Sequence, residues 1–498
     1  MRSYFRLRAR LIPYLYTAQR AAYATGTVPV HGMYYDYPRS TSQGAFSPPA
    51  LHQYAFGPSL WVAPITSPAP EGSAGLTPTR VWFPPGPWWE WGSWQAHHGG
   101  EGPVGATYPR AYALEETPLF SPPGAIIPLS GDLDSGSGGG EQEGDYSEAG
   151  AGAAYSASPV GSGVRVPASI VYYVLPPPQG THLRPSAPPL TYTSTLYDDD
   201  GVSTAYTAGG YAWSRTTCAW GRNERGIDSV ECEAAVGGSS SGSSSSGSGG
   251  GGGDGGALQE GEEVERGSEG YNAAPPIASP QGFTEAPARR TLTFRFLAAW
   301  PPSSVSVGGE AVPFAPSARP DAWGEGGAWG GGSSWSYHGD TASVWVRVGA
   351  VAWGGKARVR VAFPVGGGAT EALLGSALAR KIARAQGAKG AMNRASWTVN
   401  PCDVPSLLRV AGAGARVEAA VGEAFSSSSS SGGGRMLEAQ PPAASAMLGA
   451  VRGIYGSLGE DLKKALEEVK ALLDRKTMGV EETAAVEDMR KLIENALA

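Results

Sequence analysis

The sequence predicts a mainly β protein with one helix in front and an Ala-rich helical tail behind. Short apolar or aromatic runs such as "QYAFGPSLWVAPI", "RVWFPPGPWWEWGSW" and "GAIIPL" are separated by Gly, Pro and Ser clusters, which is the grammar of strands and turns. Alternating runs such as "ASVWVRV" and "KARVRVAFP" follow further on, the pattern of half-buried strands. Gly (73) and Pro (41) are together about twice their ordinary share of roughly 12%. Part of that excess is turn chemistry and part is low-complexity insertion.

Residues 1–25 read as one helix, because Tyr4, Leu7, Leu11, Leu15 and Ala18 recur at three- and four-residue steps. Pro13 lacks an N–H and crowds the preceding turn, so a kink is expected there. Gly26 is a good C-terminal stop. The first β domain is placed at 27–131. Residues 132–163 have almost no large apolar side chains and read as a flexible insertion. The second β domain spans 164–365, with strands in "ASIVYYVLP", "LTYTSTLY", "ARRTLTFRFLAAW" and "SSVSVGG". A Gly/Ser-rich and acidic insertion interrupts it at about 237–285. Residues 366–498 form the helical region, with a helix in "TEALLGSALARKIARAQGAKGAMN" and a Ser/Gly linker at about 426–434. Ser457 and Glu460 match a capping box that would open the helix carrying Leu462, Leu466, Val469 and Leu473. That helix and "GVEETAAVEDMRKLIENALA" form a predicted helical hairpin, packed on its own domain or, in the sharper reading, binding a partner.

Composition removes several function classes. The net charge of -7 gives no global case for nucleic acid or an anionic membrane surface. No apolar run of about 18 residues occurs, so no transmembrane span is predicted. Cys218, Cys232 and Cys402 lack metal-ligand spacing. Cys218 and Cys232 could face each other across a hairpin, but free buried thiols are the preferred reading. "GxxxxGK[ST]" and "HExxH" are absent, and no "GxSxG" elbow sits between a strand and a helix, which removes nucleotide, serine-hydrolase and zinc-protease chemistry.

Glycoside hydrolysis usually needs two carboxylates flanking the scissile bond. Asp36, Glu90, Glu115 and Glu116 are the acids weighed in the first β domain, each read as a turn or edge residue. Asp198, Asp199 and Asp200 precede Gly201 and read as a β-turn, with a cation- or sugar-binding loop as the alternative. His97 and His98 read as an exposed Gly-rich turn. The Trp-rich "PPGPWWEWGSW" reads as sandwich packing rather than a sugar platform.

"LRARLIPYLYTAQRAAYATGTVPVHGMYYDYP", "QYAFGPSLWVAPI", "RVWFPPGPWWEWGSW", "TPLF" and "GAIIPL", taken in order, resemble the carboxyl-terminal part of glycoside hydrolase family 31, the α-glucosidase and α-xylosidase family. "LYDDDGVSTAYTAGGYAWS" resembles that family's distal β-domain, and the order and spacing agree over about 1–365. The resemblance implies two β-sandwich domains, proximal and distal, preceded by the last helix (1–26) of an incomplete (β/α)8 barrel. Near His31 and Gly32 the family more often shows Arg-Pro, and His31 is given no role. The family's nucleophile and acid/base aspartates lie upstream of the "PYLYT" helix, and no segment here matches their motifs. No catalytic residue, cofactor-binding residue, cofactor or metal ligand is therefore assigned.

The resemblance implies a retaining α-glycosidase in the complete enzyme, with an α-glucan or oligosaccharide as substrate, and an inactive chain by itself. The alternative is a non-catalytic carbohydrate-binding or assembly module. A separately encoded barrel or a helical partner would be the protein ligand. The acid-poor, Arg-rich start also fits a transit peptide, but the resemblance makes it an internal helix, with Met1 then not the native start. No compartment is assigned.

Overall fold

The computed structural model describes residues 2–38, 43–102, 104–113, 116–131, 166–177, 189–223, 226–237, 286–315, 332–364, 377–394, 399–426, 441–474 and 478–497. The insertions expected at 132–163 and from 238 to 285, the linker beyond Ser426, and Glu115 lie outside these residues. What is described is mainly β-sheet, with helices at both ends.

The leading helix is split into α1 (Arg2–Arg10) and α2 (Ile12–Thr25). The break falls where Pro13 removes a donor. Gly26, at φ +79°, closes α2 by donating its N–H to the Ala22 carbonyl.

The next strands are β1 (Val30–Gly32), β2 (Tyr54–Phe56), β3 (Trp61–Val62), β4 (Thr77–Phe83), β5 (Pro87–Glu90), β6 (Ala96–His98), β7 (Ala106–Tyr112) and β8 (Leu119–Ser121), with a short helix, α3 (Pro48–Leu51), before β2. They form a six-stranded sheet, β1-β2-β3-β8-β5-β6, and the pair β4-β7. Trp61, Trp82, Phe83 and Phe120 bury the space between them.

The second set comprises β9 (Ile126–Ser130), β10 (Ser169–Val174), β11 (Leu190–Asp199), β12 (Tyr211–Asn223), β13 (Gly226–Ala235), β14 (Arg289–Phe296), β15 (Ser304–Val307), β16 (Glu310–Ala311), β17 (Ser334–His338), β18 (Ser343–Ala352) and β19 (Lys356–Ala362). A five-stranded sheet, β17-β18-β14-β10-β9, faces a six-stranded one, β11-β12-β13-β19-β15-β16. β9 pairs with β10 in this second system, although its sequence position groups it with the first.

The five-stranded sheet is buried on both faces. Ile170, Tyr172 and Val174 point into the sandwich core. Val171, Tyr173 and Leu175 point the other way, onto Leu7, Leu11 and Tyr14 of the leading helix and onto Trp89, Trp91 and Trp94. That explains why "IVYYVL" is continuously apolar rather than alternating. The "PPGPWWEWGSW" tryptophans are packing residues, as expected.

The tail contains α4 (Leu378–Arg394), α5 (Pro405–Ala411), α6 (Ala413–Ser426), α7 (Pro441–Leu473) and α8 (Val480–Leu497). Its apolar faces merge with the core of the second sandwich. Ser457 does not open a helix. α7 starts sixteen residues earlier, because Val451, Tyr455 and Leu458 already extend the stripe that Leu462 and Val469 continue. Ser457 lies mid-helix and bonds Asp461.

Cys218 and Cys232 form a disulfide, which corrects the reading of free thiols. They are direct cross-strand partners in β12 and β13, and this register is what spacing alone left open. Unfolded without reductant, the chain should take up one alkylating group, at Cys402, and after reduction three; intact mass measurement counts them.

Candidate functional site

The structure commits Glu90, Glu116, Asp198 and Asp199 to interior contacts and Asp200 to a turn, with one exception among the acids described. Glu90 is not an edge residue. It is 1% exposed and stands at the end of β5. Its Oε1 accepts from Tyr112 Oη (2.8 Å) and Arg380 Nη2 (2.9 Å). Its Oε2 accepts from Ser93 Oγ (2.8 Å), His97 Nε2 (3.0 Å) and Arg110 Nη2 (2.8 Å). Burial by itself would raise the Glu90 pKa. The Arg380 charge, the His97 hydrogen bond and the Arg110 charge outweigh it and hold the carboxyl well below its usual range. His97 is buried rather than exposed as expected, while His98 is exposed. Burial keeps the His97 imidazole below its ordinary pKa despite Glu90, so the neutral ring donates Nε2–H to the carboxylate.

Four of these partners lie within 22 residues of Glu90: Ser93 in the turn after β5, and His97, Arg110 and Tyr112 on β6 and β7. The fifth, Arg380, comes from α4. Arg384, one turn further along the same face, donates to Glu116 (2.6 Å) on the first β unit and to Asn495 (2.7 Å) on α8. His97, and Arg110 and Tyr112 alternating along β7, follow "WWEWG" and were the local signal for a buried acid; nothing in the sequence pointed to Arg380.

Asp198 departs from the turn reading. It is buried and pairs with Arg290 at 2.9 Å. Asp199 and Asp200 do shape the turn: Gly201 N–H donates to Asp199, and Val202 and Ser203 N–H groups donate to Asp200. Asp199 also accepts from the hydroxyls of Tyr16 and Tyr197, and the Tyr197 N–H donates to Thr17 Oγ1 (3.0 Å). The "PYLYT" and "LYDDDG" segments are thus two halves of one contact. Arg20 strengthens it, with its guanidinium 4.9–5.7 Å from the ring centroids of Tyr23, Tyr197, Tyr206 and Tyr211.

Asp36 is the exception, being 47% exposed and bonded to His31. It lies in a turn that carries an aromatic surface. Tyr34 (46% exposed) and Tyr35 (65%) stand beside Val28 (48%) and Val30 (52%). The rings of Tyr34 and Tyr35 are 5.3 Å apart, and Tyr34 also approaches Phe46. Among the described residues no cluster of three His, Cys, Asp or Glu side chains could hold a metal ion, and no helix is long and apolar enough to cross a membrane.

Residues 26–127 match the model of the glycosyl hydrolase family 31 C-terminal domain. That segment is thus similar to a family 31 C-terminal domain. It is also 28% identical over 127 residues to an isomaltosyltransferase of Sporosarcina globispora, a match covering 26% of this chain and 10% of that one. Two solved structures are similar over 72% of the chain. One is a family GH31 dextranase of Flavobacterium johnsoniae complexed with glucose, at 17% identity and a TM-score of 0.42, with 32% of it covered. The other is an uncharacterized protein of Listeria monocytogenes in complex with glucose, at 18% identity and 0.42, with 23% covered. The dextranase has also been seen with isomaltotriose. The chain therefore spans about a tenth of the transferase and under a third of either structure.

Replacing Arg380 by Met should cost about 3–5 kcal/mol, because it strands a buried charge; urea unfolding measures it. Because folding depresses the Glu90 pKa, its stabilisation is complete above the unfolded carboxyl value of 4.5 and is lost as pH falls below it. Glu90→Gln should flatten the acid limb of the stability profile.

Proposed function

We propose that this chain is the carboxyl-terminal part of a family 31 α-glucosidase-type enzyme. In this reading residues 1–26 are the last helix of its catalytic barrel, 27–131 and 164–365 are its proximal and distal β-sandwiches, and 366–498 are a helical appendage. The exposed face of Val28, Val30, Tyr34 and Tyr35, immediately after α2, carries the reading. Large apolar side chains this exposed and adjacent mark a surface built to be covered, and a barrel ending in α2 would stand next to them.

The carboxylates support the same conclusion. Retaining hydrolysis needs one acid to protonate the leaving group and a second to attack. Glu90, Asp198 and Asp199 are buried and held by structural donors, so they are not available to a sugar. The acids that act on an α-glucan or oligosaccharide belong to the barrel, and this chain holds it from one side.

The exposed tyrosines also favour a second reading, in which the chain is a carbohydrate-binding module that stacks a sugar ring on Tyr34 or Tyr35. Affinity electrophoresis through α-glucan gels separates the two, since retention that Tyr35→Ser abolishes would favour the module.

The purified chain should show no α-glucosidase activity alone and should gain it when mixed with a separately expressed family 31 barrel that lacks its own C-terminal units. Replacing Tyr34 and Tyr35 together by Ser should weaken that association by about 2 kcal/mol, the scale of an aromatic anchor. Hydrolysis by the isolated chain, or no binding to the barrel, would overturn the proposal.

A further inference from the structure

The face just described is held in shape by one histidine. His31 sits in β1, with its ring buried beneath the turn that presents the two tyrosines. Its Nδ1 lies 2.9 Å from the Val28 carbonyl oxygen and its Nε2 lies 2.9 Å from Asp36 Oδ2. Both neighbours are acceptors only: a peptide carbonyl has no proton to give, and neither does an ionised carboxylate. A neutral imidazole carries one N–H and can satisfy one of them. The imidazolium carries two and satisfies both.

Those two bonds span the whole face. One reaches back to Val28 and the other forward to Asp36, and the Tyr35 ring lies against the imidazole, with centroids 5.4 Å apart. The intervening turn is closed by Tyr35 N–H donating to the Gly32 carbonyl and Tyr37 N–H donating to the Met33 carbonyl, each at 3.0 Å. Tyr34 rests on Gly32, where an added Cβ would stand 2.4 Å from the tyrosine ring. Across the ladder the residue opposite His31 is Ala55, next to Tyr54. Among the described residues, Asp36 is the charged group that His31 faces.

We infer that the His31–Asp36 pair is a proton-operated latch on the docking face, closed when His31 is an imidazolium and released when it loses its proton. The inference rests on the reading of this face as the seat of the barrel. Its chemistry is one proton lost from a ring nitrogen to solvent, which leaves a lone pair facing either a carbonyl or a carboxylate. Asp36 is half exposed and turns to water at little cost, so the forward bond is the one that opens. The Asp36 hydrogen bond raises the His31 pKa above its ordinary value, against the effect of burial. A group whose pKa is raised on folding contributes fully below its unfolded value, and that contribution is lost as pH rises through the folded one. The face is therefore ordered below the ordinary histidine value and loosens as pH rises through the raised one.

The test uses the full chain without any barrel. Long-range proton–nitrogen spectra of the six histidines, with His31 assigned by its loss in His31→Gln, should show both His31 nitrogens protonated to a midpoint above about 6.5. Amide exchange at Tyr35 and Tyr37, corrected for the intrinsic pH dependence, should accelerate at that same midpoint. Asp36→Asn, a change at a half-exposed site, should lower the midpoint and move the exchange step with it. A His31 midpoint at or below 6.5, an exchange profile with no step, or a midpoint unmoved by Asp36→Asn would each overturn the latch. If His31→Gln does not fold, the shift in Asp36→Asn identifies the resonance. Barrel binding is then measured at pH 6 and pH 8.5. A correct titration with no barrel binding at either pH leaves the latch standing and sinks the docking face instead; equal binding at both pH values overturns the latch as a control on docking.

Discussion

A carboxylate sealed from water is the constraint on which the arrangement of this molecule turns. Glu90 stays ionised in the interior because five donors from separate parts of the chain converge on it. Removing an ion from water costs several kcal/mol, and good geometry with every lone pair occupied is what offsets that cost. Ser93, His97, Arg110 and Tyr112 are local to the first β unit, and Arg380 is not. The first unit is thus electrostatically incomplete until α4 docks. Arg384 repeats the contact one turn along, tying Glu116 to α4 and α4 to α8. The helical tail is therefore bound into the β structure by charge as well as by its apolar stripe.

A second contact does the same at the other end. Tyr16 and Thr17 of α2 meet Asp199 and Tyr197 at the end of β11, and Arg20 is set among four tyrosines. Between these two contacts lies the five-stranded sheet, covered on one face by its partner sheet and on the other by the leading helix and the tryptophan cluster. The leading helix, both β units and the tail thereby share cores, while the Val28–Tyr35 face is left open beside α2.

Much of this was legible from the residues. Pro13 and Gly26 marked a broken and then terminated helix because their backbone chemistry acts locally. The tryptophan run read as packing because so much apolar area is costly to expose. Asp199, Asp200 and Gly201 read as a turn because those side chains bond their own backbone. Periodicity placed α8 and most strands. It misplaced the start of α7, where a capping-box pattern at Ser457 competed with a stripe interrupted by glycines.

What the sequence determined by itself was therefore local: which segments become strand or helix, where they stop, and which faces are apolar. It also held the ordered motifs that resemble family 31, since those are runs of neighbouring residues. Only the tertiary structure decided which of the buried-looking charges meet. The Glu90–Arg380 pair spans 290 residues, Asp198–Arg290 spans 92, and Cys218 faces Cys232 only once the β12–β13 register is set. Electrostatic pairing has no period along a chain. It depends on distance and on exclusion of water, and both come into being only when the elements have packed.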